Sequence, residues 1–169
     1  MIGVRLEGGL GNQMFQYALG KHVAVKNGTG LLFDIESYKT NPIADCSYWL
    51  EWFNIDIKDH LLSPQQLRQI KRYRRRNGLR WAWYNPIFAN KDRYIEEKSY
   101  AFDPAVLSAK NDSYLHGWWQ SEKYFLPIRD SLLKDFEPRA PLAGRNKETA
   151  ERMSATNSVA MHIRRLDYV

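Results

Sequence analysis

The chain has 169 residues, enough for one domain with a real core, and its 44% hydrophobic and 14% aromatic content excludes a disordered polymer. A net charge of +6 comes from 25 Lys+Arg against 19 Asp+Glu, and the single cysteine, Cys46, excludes internal disulfides and zinc clusters and fits a reducing cytoplasm. No apolar run reaches membrane-spanning length, and residues 1–7 are too short and too charged for a secretory signal.

Ile2, Val4 and Leu6 alternate as in a strand, and Gly8, Gly9 and Gly11 follow as a tight turn with exposed backbone amides. Asn12 stands where it would N-cap a helix with an apolar stripe of Met14, Phe15, Ala18, Leu19 and Val23, ended by Gly28 or Gly30. Leu31, Leu32 and Phe33 form a second strand finishing at Asp34. Strand, helix, strand is a βαβ unit, so the expected class is α/β: a Rossmann-like parallel sheet with flanking helices. Residues 41–54 read as a polar and aromatic loop with short extended pieces. Ser63-Pro64 caps a helix through Arg76, which Asn77-Gly78 stops. A loop follows around Asn85-Pro86, and Asp103-Pro104 opens a short helix. Residues 114–118 read as a buried strand, and Ser121 starts a helical stretch that Pro127 bends and that ends before Pro138. Residues 144–155 form a polar, amphipathic helix, and residues 158–163 a last buried strand.

Two motifs carry chemistry. Gly8-Gly9-Leu10-Gly11-Asn12-Gln13 joins the first strand to the first helix, where free amides and the helix dipole favour an anion. The dinucleotide fingerprint is only partly met: Gly9 and Gly11 fit, Met14 takes the third glycine's place, and Asp34 stands near where a ribose-binding acid belongs. An anion site, a nicotinamide or flavin cofactor, and a merely tight turn all stay open at this point. The second motif, His162-Ile163-Arg164-Arg165-Leu166-Asp167-Tyr168, delivers charge at the carboxyl end of the last strand. Paired guanidiniums suit a diphosphate, although such pairs also serve surface acids. Alternation puts His162 and Arg164 on one face, so Arg164 and Arg165 reach one ligand only where the strand has ended. No two of the four histidines have metal spacing, and no bound metal is expected.

Residues 60–91 contain no Asp or Glu but carry Arg68, Lys71, Arg72, Arg74, Arg75, Arg76, Arg80 and Lys91, more than the whole positive excess of the chain. A solvated helix face is the default reading, an anionic lipid surface the next. Nucleic acid comes last, because no groove-reading or RNA-binding motif accompanies the charge.

Three stretches together resemble one family. The run from Gly8 to Ala18, G-G-L-G-N-Q-M-F-Q-Y-A, is similar to the N-terminal signature of the bacterial α-1,2-fucosyltransferases of glycosyltransferase family 11. The run from Gly117 to Phe125, G-W-W-Q-S-E-K-Y-F, resembles that family's central stretch, and residues 162–168 its H-x-R-R-x-D-Y motif, with Leu166 where glycine is common. The resemblance implies transfer of L-fucose from GDP-β-L-fucose to the 2-hydroxyl of a galactoside, with inversion and no required metal or cofactor. It implies a GT-B-like fold of two Rossmann-type halves. Residues 1–156 would be the acceptor-type half, and residues 157–169 the first strand and arginine motif of a donor half. By resemblance, Arg164 and Arg165 hold the GDP diphosphate, with Arg165 neutralising the leaving β-phosphate. Gly9, Gly11 and Asn12 would close the cleft near the donor, and His162 and Asp167 would orient the arginines or shape the donor pocket. For the base, Asp34, Glu7 and Asp167 are the acids in view.

Further expectations follow from this. These residues alone should not turn over, because the donor motifs that follow in the family are not among them. The partners are GDP-fucose, a galactose-containing glycan of surface polysaccharide assembly, and the inner membrane, touched peripherally through residues 68–80. Two rivals stand beside this reading: a carbohydrate- or partner-binding remnant without catalysis, and a small dinucleotide-binding protein built on Gly9, Gly11 and Asp34.

Overall fold

Four strands, β1 (Ile2–Arg5), β2 (Leu31–Asp34), β3 (Tyr94–Glu96) and β4 (Ser113–His116), make one sheet in the order β2-β1-β4-β3. The computed structural model describes residues 1–40, 47–76 and 93–161. Every strand pair is parallel, with Ile2 opposite Leu31 on one side and Ser113 on the other. The helices are α1 (Leu10–Lys26), α2 (Glu36–Thr40), α3 (Pro64–Arg76), α4 (Arg129–Asp135) and α5 (Gly144–Ser154). This is the expected α/β, Rossmann-like arrangement. The chain divides into two compact units, Met1–Glu137 and Pro138–Val169.

Side-chain alternation builds two layers on the sheet. Ile2, Val4 and Leu6 are fully buried on one face, in one core with Phe33, Leu115 and the α1 residues Ala18, Leu19, Val23 and Ala24. Gly20 permits close packing there. A Cβ at Gly20 would lie 2.9 Å from Leu31 Cδ1 and 3.3 Å from Val4 Cβ. The other face carries a smaller core of Leu62, Ile70 and Tyr114, with Leu32, Leu67 and Tyr94 against it, so α3 covers that side through Leu67 and Ile70.

Local rules explain most element ends. Gly28, at φ +59°, follows the Asn27 C-cap of α1. Ser63 Oγ accepts from the Gln66 amide while Gln66 Oε1 accepts from the Ser63 amide, a reciprocal capping box for α3. Asp103 Oδ1 accepts from the Ala105 amide and opens the 3-10 turn Pro104–Ser108.

Several expectations are corrected. The N-cap of α1 is Gly9, not Asn12: Gly8 at φ +77° completes the turn early, so Asn12 lies inside the first helical turn and caps nothing. Residues 50–52 form a 3-10 turn rather than an extended piece, and the stretch after Ser121 is two 3-10 turns followed by α4. The three-residue strand β3 was not expected. The last strand, expected from Ser158, is absent over residues 158–161: these are irregular, with Val159 95% and Met161 83% exposed. The predicted stop at Asn77-Gly78 and the loop around Asn85-Pro86 lie outside the described residues. Helix α5 is amphipathic, as expected, buries no residue and carries a Lys147–Glu151 ion pair one turn apart.

Two glycines of α1 should respond oppositely to alanine. Gly11 has nothing within 4 Å of a Cβ, so Gly11→Ala gains roughly the 1 kcal/mol of helix propensity. Gly20→Ala should instead lower the melting temperature, because overpacking against stiff Val4 costs about 1–3 kcal/mol. Thermal melts of the two variants check both signs.

Candidate functional site

Two glutamines inside the apolar stripe of α1 shape the carboxyl edge of the sheet. Both are fully buried. Gln16 Oε1 accepts from the Glu7 amide at 2.9 Å, and its Nε2 donates to the Gly117 carbonyl at 3.1 Å. One side chain thus ties together the ends of neighbouring strands β1 and β4. Gln13 Nε2 donates to the carbonyls of Gly8 (3.0 Å) and Ser47 (2.8 Å), while its Oε1 accepts from the Trp49 amide at 2.9 Å. Tyr38 Oη adds a second donor to the Gly8 carbonyl, and Ser37 Oγ donates to that of Leu6. The glycine loop is held from beneath by two fully buried glutamines and two half-buried hydroxyls.

The loop after β4 is held as firmly. Glu97 Oε2 accepts from the Trp118 amide at 2.6 Å and Oε1 from the Trp119 amide at 3.1 Å. Gly117 is required there, because a Cβ would run into the Glu97 side chain. Trp119 adopts φ +56° and is buried, and the ring of Trp118 lies against Gly8.

On the face that α3 covers, the sheet edge is charged. Arg5 Nε lies 2.8 Å from Glu7 Oε2, and Glu7 Oε1 lies 3.4 Å from His116 Nε2. Tyr94 Oη is 2.9 Å from His116 Nδ1, with Glu96 Oε1 at 3.4 Å from the same nitrogen. Burial alone would raise the Glu7 carboxyl, but the hydrogen bond from His116 and the charges of Arg5 and His116 outweigh it and hold it below the ordinary 4.5. Asp34, 8% exposed, accepts from Tyr114 Oη at 2.7 Å and from the Glu36 amide at 2.9 Å. Burial and the Asp34 carboxylate push the Tyr114 phenol far up, so it stays a donor.

Of the sequence-predicted site residues, Gly9, Gly11 and Asn12 stand together at the start of α1, with open space beside both glycines. His162, Arg164, Arg165 and Asp167 lie outside the described residues. Asp34 is engaged in the fold, as its two bonds show. Among the described residues, no group of three or more His, Cys, Asp or Glu side chains could hold a metal, and no helix is long and apolar enough to cross a membrane. Sequence reasoning passed over Gln13, Gln16, Glu97 and His116. The glutamines did leave a signal, as polar residues three apart within an apolar helical stripe.

A model of glycosyl transferase family 11 matches residues 1–169. The chain belongs to that family. Among curated proteins, an "Alpha-1,2-colitosyltransferase" of Escherichia coli is 32% identical over 176 residues, covering 100% of this chain and 56% of that protein. The "O-antigen biosynthesis glycosyltransferase WbnK" of Escherichia coli is 30% identical over 184 residues, covering 97% of this chain and 58% of that protein. The chain therefore spans a little over half the length of the curated relatives it matches. No solved structure matches it. The family 11 signature at residues 8–18 has a physical reading here: its glycines and Asn12 form the surface of the loop, and its two glutamines are the buried clamps beneath.

Gln16→Leu keeps the volume but strands the Glu7 amide and the Gly117 carbonyl, each at about 1–3 kcal/mol. Denaturant unfolding should show a loss of about 2–6 kcal/mol. Glu7 gives a pH signature. Its folded value lies below its unfolded one, so its contribution is complete above 4.5 and disappears as pH falls through the folded value. As pH falls from about 5 through the folded value, the melting temperature should fall less steeply for Glu7→Gln than for wild type.

Proposed function

We propose that this chain is the acceptor-side half of a GT-B-like glycosyltransferase that moves L-fucose from GDP-β-L-fucose to the 2-hydroxyl of a galactoside in surface polysaccharide assembly. The observation that carries this reading is a family 11 chain whose signature loop is an open helix N-terminus, held rigid from beneath at the carboxyl edge of a parallel sheet. Ligands of open α/β sheets bind at that edge, and a helix start with free amides favours phosphate. Gly9, Gly11 and Asn12 face the donor in this reading. Arg164 and Arg165 grip the diphosphate, Arg165 neutralises the departing β-phosphate, and His162 and Asp167 hold the arginines in place.

The 2-hydroxyl oxygen attacks the anomeric carbon, its proton goes to a base, and GDP leaves with the electron pair of the broken C–O bond. Asp34 is committed to Tyr114 and α2. Glu7, held ionised between Arg5 and His116 at the same edge, and Asp167 are the other two acids in view for this step. The run of basic residues at 68–80, of which Arg68 is exposed, supports loose contact with an anionic inner-membrane surface.

A second reading, colitose as the transferred sugar, is favoured by the colitosyltransferase relative. Incubating the intact gene product with GDP-fucose or GDP-colitose and a galactoside separates the two. An α-1,2-fucosylated product formed equally well in EDTA supports the first reading, and Arg165→Ala should cut kcat by about 10²–10³. Turnover of GDP-colitose alone moves the donor to the second. Galactoside binding without turnover of either donor would instead indicate a binding remnant.

A further inference from the structure

Gly8, Asn12, Trp118 and Gln120 meet on the rim of the glycine loop. A Cβ on Gly8 would lie 2.6 Å from Asn12 Nδ2 and 2.8 Å from Trp118 Cζ3, so an amide nitrogen and an indole edge flank the same backbone carbon. Gln120 Nε2 donates to Asn12 Oδ1 at 2.7 Å, an exposed contact between two side chains 108 positions apart. A primary amide carries two donors and one oxygen acceptor. The bond therefore leaves the Asn12 NH₂ group as a donor and Gln120 Oε1 as an acceptor at the two ends of one linked amide pair. Neither serves the fold, since Asn12 caps nothing and Gln120 is exposed. The indole is anchored, because Glu97 holds the Trp118 amide and Gly8 offers no side chain to displace the ring.

We infer that Asn12, Gln120 and Trp118 form a pyranose subsite, in which the C–H face of a sugar lies on the indole while two adjacent hydroxyls engage the amide pair. One hydroxyl donates to Gln120 Oε1 and its neighbour accepts from Asn12 Nδ2. A flat, amphipathic ring beside a few placed polar groups is how a concave site orients such a ligand. The inference rests on the transferase reading for its choice of sugar: the acceptor galactoside and the donor's fucosyl ring both carry adjacent hydroxyls.

Saturation-transfer NMR on this chain tests it, with methyl β-D-galactopyranoside, GDP-β-L-fucose and GDP as probes. The expected result is saturation of the ring protons of at least one sugar. Galactoside protons assign the subsite to the acceptor; fucosyl protons of GDP-fucose, with the galactoside silent, assign it to the donor. Gln120→Ala and Asn12→Ala should each weaken that binding about tenfold, one hydrogen bond's worth, with unchanged melting curves. Saturation of neither sugar, or binding within twofold of wild type in both variants, overturns the subsite. In the intact gene product the two readings fail separately. Sugar binding that depends on Gln120 without any transfer overturns the transferase and keeps the subsite. Transfer with an unchanged sugar KM in Gln120→Ala does the reverse.

Discussion

The buried amide of Gln16 is the constraint on which the site depends. Parallel strands end in loops that diverge, and nothing in the β ladder fixes where the loops after β1 and β4 go. Gln16 reaches up from α1 and takes one group from each, the Glu7 amide and the Gly117 carbonyl. A buried amide is costly unless satisfied, and this one is satisfied only when both loops are in place. Gln13 repeats the device one turn earlier and draws the Ser47–Trp49 segment into the same arrangement. The exposed surface of the loop can then be built from glycine and asparagine, residues that supply no rigidity of their own.

The two faces of the sheet divide the labour. Beneath α1 the packing is apolar and tight enough to require Gly20. Beneath α3 the strands carry tyrosines that become charged residues towards the carboxyl edge, through Asp34–Tyr114 and then Arg5–Glu7–His116–Glu96. Each buried charge there has a partner, as a low-dielectric site demands. Trp119 shows the cost of this design. Its left-handed backbone and buried, unpartnered Nε1 oppose the fold by about 1–3 kcal/mol for the backbone alone, offset by the two amides that Glu97 satisfies.

How much of this could be read from the residues depended on whether the signal was local. The alternation at Ile2, Val4 and Leu6, the Gly28 stop, the Ser63 cap and the Asp103-Pro104 start are written in adjacent residues, and all appear in the structure. The helix start was misplaced because Asn12 is a good capping residue in general, and only the φ of Gly8 shows that the turn had already closed. Strand β3 is three residues long, too short for a period to register, and its place depends on pairing with β4. The glycine loop was legible as a site, whereas its supports were not. Gln16 pairs with residue 117, Gln13 with residues 47 and 49, and His116 with Glu7, all distances along the chain that no local pattern spans.

The central strand pair has a consequence for synthesis. β1 leaves the ribosome long before its neighbour β4, which begins at Ser113. At roughly 5–20 residues per second, β1 waits several seconds for the strand that completes it. Until then one whole ladder edge of β1 is open. Contacts this distant in sequence also slow the search once the chain is free. Nascent chains stalled before residue 113 should therefore be the ones that chaperones retain.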